Sequence, residues 1–483
     1  MLRKSDAGLP RVVISHRGVD RLRAGHGWVY RSDVVEAGDV PPGSVVLVQE
    51  QDIYSKPRGS DRNVRPTRAT QNIDDSAHTG GRARPPHTRI LGSALYSSAS
   101  EIALRMISRG LVEDINQLVR ERIRAAIAYR ERFVRDTNAY RVIFSEGDFL
   151  PGLIVDRYND ILSLQVLTQA MDAPAMRQTI LDELKVALKP RAIVERVDAR
   201  VRKLEQLEQK ESGVIFVDEN STGEMPVSPR SPDGGDNDHV GPDALVRAGE
   251  PGSPSIAAQS AAGRVRAPAP TQVETEFQMN GVRFLFDALA GQKTGAFLDQ
   301  RENYAAAAQY ARGEALDVFC YQGGFALHFA EKCEKVTGVD SSRPALEVAE
   351  KNASLNRREI EWIEANAFDL LRDYSDAGNK YECIVLDPPP FAKSRQNFAT
   401  ALRGYKELNL RALKMLRPDG ILVTCSCSYH VSNADLLEVI ASAGQDSHRI
   451  IRILENRGQA EDHPSVLGIP ETAYLKCLIL AVT

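Results

Sequence analysis

The sequence Leu316-Asp-Val-Phe-Cys-Tyr-Gln-Gly-Gly-Phe325 decides the fold of this chain. Its apolar first half predicts a strand, which runs into a glycine pair and then into a predicted helix over Ala326–Glu331. Glycines at such a turn let backbone N–H groups approach a ligand closely. A second predicted strand, Lys335–Val339, is followed by Asp340. A nucleotide-binding βαβ unit places an acid at about this spacing, where it holds ribose hydroxyls.

Strand and helix patterns alternate on both sides of this stretch. Further strands are predicted at Ile360–Glu364, Cys383–Leu386 and Gly420–Cys425, with helices between them. Alternation of this kind indicates a mostly parallel sheet covered by helices on both faces. Upstream, Asn280-Gly281 separates two alternating apolar runs, which predicts a hairpin with a two-residue turn.

The whole chain is predicted to divide into four segments. Residues 1–98 form a small β-rich domain with a polar insertion at 51–88, and residues 99–215 form an α+β middle domain. Residues 216–272 are a linker rich in Gly, Pro and Ser, with too little apolar surface to offset the entropy of ordering. Residues 273–483 form the α/β domain.

One long helical pattern is predicted at the start of the middle domain. Apolar residues recur at helical spacing from Glu101 to Arg135, and the other face is rich in arginine. That face is either solvated or turned toward phosphates, and the pattern favours the solvated face. A second helix is predicted near Met176–Leu188.

Charge and composition narrow the class of protein. The net charge is −4, but residues 1–140 hold 23 basic against 16 acidic residues, leaving 38 against 49 for the rest. This asymmetry is compatible with a polyanion-binding front portion, and equally with solvated helix faces and a basic linker. No apolar run is long enough to span a membrane, and the N-terminus lacks a signal sequence. The six cysteines form no C-x-x-C pair and predict no metal site, so we expect a cytoplasmic protein.

Acidic residues follow several predicted strands, where an open parallel sheet binds ligands. They are Asp317, Asp340, Asp369 within Asn366-Ala367-Phe-Asp369, and Asp387 within Asp-Pro-Pro-Pro-Phe391. Neither a phosphate-binding loop nor an arginine clamp lies near the first turn. Acids in these places suit a nucleoside with a cationic tail, so the pattern favours S-adenosylmethionine over NAD.

Two thiols, Cys425 and Cys427, follow the last of these strands. A thiolate that adds to C6 of cytosine makes C5 nucleophilic enough to accept a methyl group. Strand alternation would point both thiols the same way, so spacing does not choose between them. On this segment alone, two buried structural thiols are the stronger interpretation.

The motifs together resemble the bacterial 23S ribosomal RNA cytosine-5 methyltransferase family. The resemblance covers nearly the whole chain except the two polar insertions. It implies an N-terminal PUA RNA-binding domain, an α+β middle domain and a C-terminal Rossmann-like class I methyltransferase domain. The motifs that carry it are Leu91–Ser98, Gly147–Arg157, Gln292–Gly295, Phe297–Arg301, Asp317–Phe325, Asp387–Ser394, Ser426–Ser428, His463-Pro464 and Pro470–Lys476.

The resemblance also implies roles for individual residues. The nucleophile falls on Cys427, although related enzymes with a Thr-Cys-Ser element would select Cys425. Asp387 would contact the cytosine edge near N3 or help seat the cofactor, and Asp340 would hold the ribose. Asp369 would lie on the adenine side, and the neighbouring Asn366 and Ala367 would also bind the cofactor. The remaining cofactor-binding residues would be Asp317, Phe319, Tyr321, Gly323 and Gly324 at the methionine end, with Lys293 and Thr294; Lys293 and Arg301 would line the entry.

The resulting hypothesis is an S-adenosylmethionine-dependent enzyme that methylates C5 of a cytidine in 23S ribosomal RNA. The resemblance is compatible with a homodimer, and we expect no membrane partner. One alternative is a guanine N-methyltransferase that works through the Asp387 loop without covalent catalysis. Another is a PUA-type RNA-binding protein that has lost turnover.

Overall fold

The computed structural model describes residues 8–51, 89–218, 273–289, 295–391 and 397–483. Both predicted insertions, and Lys293 and Thr294, lie wholly or largely outside these described residues. The strands are β1 (Arg11–Ile14), β2 (Trp28–Tyr30), β3 (Val34–Glu36), β4 (Val45–Glu50), β5 (Ile90–Tyr96), β6 (Ile102–Ser108), β7 (Ala139–Phe144), β8 (Leu153–Tyr158), β9 (Ile161–Val166), β10 (Ala192–Glu195), β11 (Gly213–Val217), β12 (Glu274–Met279), β13 (Val282–Asp287), β14 (Glu314–Val318), β15 (Lys335–Asp340), β16 (Glu361–Glu364), β17 (Tyr381–Leu386), β18 (Leu416–Ser426), β19 (Ile451–Arg457) and β20 (Lys476–Val482). The helices are α1 (His16–Arg23), α2 (Ile115–Phe133), α3 (Gln169–Asp172), α4 (Pro174–Leu188), α5 (Ala199–Leu204), α6 (Arg301–Ala308), α7 (Gly324–Phe329), α8 (Arg343–Leu355), α9 (Ala367–Ala377), α10 (Phe398–Met415) and α11 (Asn433–Ser447).

The C-terminal part is built on a seven-stranded sheet in the order β16-β15-β14-β17-β18-β20-β19. The first five strands are parallel, and β20 is antiparallel to both of its neighbours. Strand order reverses at β14, between β15 and β17, and such a switch point opens a ligand crevice at the carboxyl ends of the strands. The predicted parallel sheet is confirmed.

Alternation along the strands divides the core between the two faces of this sheet. Leu316 and Val318 of β14 pack into one buried cluster, while Ala315 packs into another. Helices α9, α10 and α11 cover the first face, and α6 and α7 cover the second. Because both faces of the sheet are covered, the central strands bury apolar side chains on both sides, as in Cys383–Leu386 and Ile421–Val423.

A six-stranded sheet in the order β2-β6-β5-β4-β1-β3 forms the N-terminal part. Its strand β6 pairs with both β5 and β2, so the predicted helix from Glu101 to Arg135 is wrong in its first portion. Ile102, Leu104 and Met106 alternate with a period of two, which suits a strand, and the helix begins only at Ile115. The sheet therefore extends to Ser108, beyond the boundary predicted at residue 98.

The arginine face of α2 turns partly inward. Arg130 is fully buried and pairs with Asp148 at 2.5 Å, and Arg124 pairs with Glu183 at 2.6 Å. Arg122 donates to the backbone carbonyl of Phe149. These three arginines make contacts within the protein. This argues against the alternative in which they belong to a phosphate-facing stripe.

The middle part is a five-stranded sheet in the order β11-β10-β9-β8-β7, and the β12–β13 hairpin follows it in the chain. Asn280 and Gly281 both have positive φ, at 50° and 83°, as the predicted two-residue turn requires. The described residues within 1–217 and 273–483 cluster in one unit. Within the described ranges, every helix is too short or too polar to cross a bilayer.

Candidate active site

A cavity of about 450 Å³ opens at the carboxyl ends of β14, β15 and β17, and we call it the strand-end cavity. It lies at the switch point of the sheet, where the acidic strand ends were predicted to converge. Its lining includes three aspartates and, among the described residues, neither lysine nor arginine. The main contributors are Phe297, Asp299, Gln300, Tyr304, Phe319–Gln322, Gly324, Asp340–Ser342, Asp387–Pro390, Cys427 and Tyr474.

The loop after β14 is held in a strained backbone conformation. Phe319 and Tyr321 have φ of 68° and 49°, a region that side chains with Cβ rarely occupy. Gly323 follows with φ of 87°. At Gly324 an added Cβ would lie 2.4 Å from Cζ of Tyr304, so only glycine fits there. Because Gly324 has no Cβ, the loop can pack directly against the ring of Tyr304, which lines the cavity.

Asp317 lies beneath this loop with 1% of its surface exposed. Its Oδ2 accepts from the backbone N–H of Ala326 at 2.9 Å, whereas Oδ1 has no hydrogen-bond partner. Burial, and then the charges of Asp387 and Asp340, raises the pKa of this carboxyl to about 8, against the opposing Ala326 hydrogen bond. The carboxyl is therefore mostly neutral at pH 7.

Asp340 connects two strand ends. Its Oδ2 accepts from the backbone N–H of Tyr321 and its Oδ1 from that of Ser342, each at 2.9 Å. Each oxygen keeps a second lone pair for a ligand hydroxyl. The geometry therefore allows Asp340 to accept from a ribose.

The third predicted strand end contributes no side chain to the strand-end cavity. Asn366 accepts from the backbone N–H groups of Phe368 and Asp369 as the N-cap of α9, and Ala367 is buried. The side chain of Asp369 is 61% exposed and pairs with Arg372 at 2.8 Å. These three predicted cofactor-binding residues do not line the cavity.

Cys427 lies on the wall of the strand-end cavity, just after β18 ends at Ser426. Its Sγ is 3.9 Å from the carbonyl oxygen of Pro388, which belongs to the Asp387 loop. The serines on either side both bond the buried hydroxyl of Tyr405, Ser426 at 2.9 Å and Ser428 at 3.0 Å. Because both serines bind Tyr405, the thiol between them is held toward the cavity.

Cys425 lies in a different environment. It is fully buried within β18, opposite Cys477 of β20, and it does not line the strand-end cavity. Burial, reinforced by Cys477 and Asp387, raises the pKa of this thiol well above its usual range. A nucleophile needs an accessible thiolate, and of the two thiols Cys427 has the access.

The chain resembles known proteins along most of its length. Residues 266–479 match the family model for S-adenosylmethionine-dependent methyltransferase, and residues 12–53 match a PUA-like domain. Ribosomal RNA large subunit methyltransferase I of Tolumonas auensis is 34% identical over 81% of this chain and 87% of its own. The enzyme of the same name from Photobacterium profundum is 33% identical over 80% and 86%. The chain belongs to the ribosomal RNA large subunit methyltransferase I family.

Solved structures agree on the fold. The methyltransferase SMU.776, solved in complex with SAH, superposes with a TM-score of 0.69 at 15% identity, covering 98% of this chain and all of its own. A SAM-dependent methyltransferase structure from Streptococcus mutans gives 0.68 at 14% identity. The predicted fold class, a Rossmann-like methyltransferase domain preceded by a PUA-like domain, is confirmed, as is the cofactor S-adenosylmethionine.

The residues of the strand-end cavity fit this cofactor. Its volume falls within the range of about 300–1,000 Å³ that is typical of small-molecule sites. Three aspartates, with no lysine or arginine among the described lining residues, suit a cationic ligand, and the buried Oδ1 of Asp317 lies beneath the loop without a hydrogen-bond partner. Asp340 also lines the cavity, and Phe319 and Tyr321 offer aromatic surface. When bound, the cofactor supplies an electrophilic methyl group.

A chain of polar side chains that the sequence analysis missed fixes Asp387. Its Oδ2 accepts from Nε2 of Gln300 at 3.0 Å, and Oε1 of Gln300 accepts from Nδ2 of Asn303 at 2.7 Å. Oδ1 of Asn303 accepts from Nε of Arg457 at 3.0 Å. The guanidinium thus fixes both amide orientations, and Gln300 presents its amide N–H to the carboxylate. Arg301, predicted at the cavity entry, is instead fully buried and does not line the cavity.

Lys476 is a second functional candidate, which belongs to the Pro470–Lys476 motif but to which the sequence assigned no role. The antiparallel strand β20 begins at this residue, so Lys476 lies at the same edge as the carboxyl ends of the parallel strands. Its Nζ donates to the carbonyl oxygen of Ser428 at 2.8 Å. Burial lowers the pKa of this ammonium to about 8, while the adjacent Cys427 acts in the opposite direction. A cation therefore lies next to the candidate nucleophile.

Proposed function

We propose that this methyltransferase acts on large-subunit ribosomal RNA and transfers a methyl group to C5 of a cytidine through a covalent adduct of Cys427. The observation that carries the proposal is the position of Cys427, which shares the wall of the cofactor-sized cavity with Asp387. The names of the relatives and the PUA-like domain support ribosomal RNA as the substrate.

The contacts around Cys427 give each neighbour a role in this reaction. The Lys476 ammonium favours the thiolate, which adds through Sγ to C6 and makes C5 nucleophilic. C5 takes the methyl group, and S-adenosylhomocysteine remains. Loss of the C5 proton to a base and cleavage of the Sγ–C6 bond then release the product and restore the thiolate. Tyr405 holds the nucleophile in place through the two serines.

Asp387 is positioned to orient the pyrimidine. Its carboxylate accepts an amide N–H from Gln300 at 3.0 Å and lines the strand-end cavity together with Cys427, so we assign it the exocyclic amine beside N3 of the cytosine. A base in structured RNA must leave its stack to reach a thiol in this cavity, so the substrate nucleotide is flipped out.

The decisive experiment uses ribosomal RNA that contains 5-fluorocytidine. Fluorine at C5 cannot leave as a proton, so a C5 mechanism traps the enzyme on the RNA as a stable adduct. We expect the adduct with the wild-type protein and with Cys425→Ala, and no adduct with Cys427→Ala. Binding of S-adenosylhomocysteine to each variant shows that the fold is intact. An adduct that persists in Cys427→Ala would refute the assignment.

A guanine N-methyltransferase is a second candidate, because Asp387 accepts from an amide N–H much as it would from an exocyclic amine. The two functions differ in their product. Nucleoside analysis after transfer of a labelled methyl group gives 5-methylcytidine under our proposal and an N-methylguanosine under the alternative. Absence of label in every nucleoside would instead indicate a protein that only binds RNA.

A further inference from the structure

A second and larger cavity, of about 1110 Å³, lies beside the strand-end cavity, and we call it the outer cavity. Leu475 lines both cavities. The two are also joined through the backbone around the nucleophile, because Cys427 faces the strand-end cavity and Tyr429 faces the outer one. Two residues of extended chain span about 7 Å, so the outer cavity begins within about one nucleotide of the reacting base.

The two cavities differ in charge. The strand-end cavity has three aspartates and no lysine or arginine among its described lining residues. The described lining of the outer cavity has no carboxylate, but it includes His430, Arg457 and Lys476. Glu455 pairs with Arg457 at 2.6 Å, so the positive charge at that end is partly balanced. In a protein of net charge −4, this lining suits an anionic ligand.

The outer cavity also presents apolar surface to solvent. Leu467 is fully exposed and the side chain of Tyr429 is about half exposed, with its ring 5.4 Å from that of His430 in an edge-on arrangement. Exposed aromatic rings within a positively charged groove are a common means by which proteins bind single-stranded nucleic acid without sequence preference.

One wall of the outer cavity packs against the turn between α1 and β2 in the N-terminal part. Leu467 and Pro470 lie in this wall, and the nearby Glu471 contacts His26 at 3.2 Å. Gly468 packs so closely on Gly25 that an added Cβ would lie 2.4 Å from its carbonyl oxygen. The part of the chain that matches a PUA-like domain therefore supports the wall directly.

We propose that the outer cavity binds the single-stranded RNA nucleotides that adjoin the target, with a base stacked on Tyr429 and Leu467 and the phosphates facing His430 and Lys476. The inference rests on the proposed ribosomal RNA substrate. It adds a substrate site in which the neighbouring nucleotides hold the strand while the target base enters the strand-end cavity.

The test measures binding of a short single-stranded oligocytidylate by fluorescence anisotropy, and of S-adenosylhomocysteine by calorimetry. Tyr429→Ala removes the stacking surface, and Leu467→Glu adds a carboxylate to a cavity whose described lining residues include none. Each should weaken RNA binding by roughly tenfold or more and leave S-adenosylhomocysteine binding unchanged. Leu204→Glu is the matched control, since Leu204 is 61% exposed and lines neither cavity, and it should bind RNA as the wild type does.

The outcomes separate this inference from the proposed function. Unchanged RNA binding in both variants overturns the inference, whichever nucleoside is methylated. A methylated base other than cytidine overturns the proposed reaction, while the binding measurements still test the cavity. Variants that bind the oligonucleotide normally but lose binding to ribosomal particles would overturn the RNA assignment in favour of a protein ligand.

Discussion

The buried carboxyl of Asp317 makes the stability of the cofactor-free protein depend on pH. In the unfolded chain this group ionises with a pKa of 3.8, whereas in the folded protein its pKa is about 8. At pH 7 folding must therefore bind a proton. The interval from 3.8 to 7 is about 3.2 units, and at 1.36 kcal/mol per unit the cost is on the order of 4 kcal/mol. This cost is absent below pH 3.8, grows as the pH rises, and levels off above about 8.

Asp317→Asn keeps the shape of the side chain and the acceptor for Ala326 while removing the titration. We expect the variant to be more stable than the wild type at pH 7, by up to about 4 kcal/mol, and nearly equal to it at pH 4. Urea denaturation of both proteins across this pH range measures the difference. Asp369→Asn, at an exposed acid, is the control and should show no such trend.

The same substitution should weaken the cofactor site. A cationic cofactor in the strand-end cavity lowers the pKa of Asp317. Below pH 8, cofactor binding therefore releases a proton from this carboxyl, and the affinity of the wild type for the cofactor rises with pH. Asp317→Asn should bind S-adenosylmethionine more weakly and with a flatter pH dependence. A variant that is less stable at pH 7, or a stability difference that is the same at pH 4 and pH 7, would refute the reasoning.

Three further predictions concern the wall of the cavity. Lys476→Gln should slow methyl transfer most below pH 8, where the ammonium is charged, and the gap to the wild type in a pH–rate profile should close above that value. Tyr405→Phe removes the two hydrogen bonds to Ser426 and Ser428, which are worth about 1 kcal/mol each. It should lower the rate of adduct formation with Cys427 and leave the affinity for S-adenosylhomocysteine unchanged. An unchanged rate would contradict the positioning role of Tyr405. Gly324→Ala places a Cβ 2.4 Å from Tyr304 and should abolish cofactor binding in calorimetry, with affinity partly restored when Tyr304→Leu is added.

The sequence predicted those parts of the fold in which the pattern of apolar residues along the chain matches the pattern of buried side chains in the structure. The central strands of the C-terminal sheet bury apolar residues on both faces, and Asn280-Gly281 supplies the two positive-φ residues that the hairpin turn needs. The prediction failed just after Glu101. The apolar run Ile102, Leu104 and Met106 is too short to distinguish a helix from a strand, and the long helical pattern that follows it made helix the apparent choice. It also missed β19, which carries exposed polar residues at the edge of the sheet.

Of the predicted site residues, those that end or directly follow a strand, such as Asp340, Asp387 and Cys427, line the strand-end cavity. Asp369 does not line it, because the residues after β16 enter a helix at once, with Asn366 as its cap. Tyr405 and Lys476 bond Ser428, next to Cys427, from distant positions in the sequence, and no local pattern connects them to it. The choice between Cys425 and Cys427 depended on where β18 ends, which spacing alone did not give.

The pairing of Gln49 with Ile90 places the two ends of a long sequence insertion side by side, at the open end of the β4–β5 ladder. Chain added between two adjacent, paired strands costs little free energy, because the ends are already held together. An engineer could therefore place a reporter protein or a cross-linkable tag between these strands. Neither cavity draws a lining residue from them, so the labelled enzyme could be followed on the ribosomal particle with its chemistry intact.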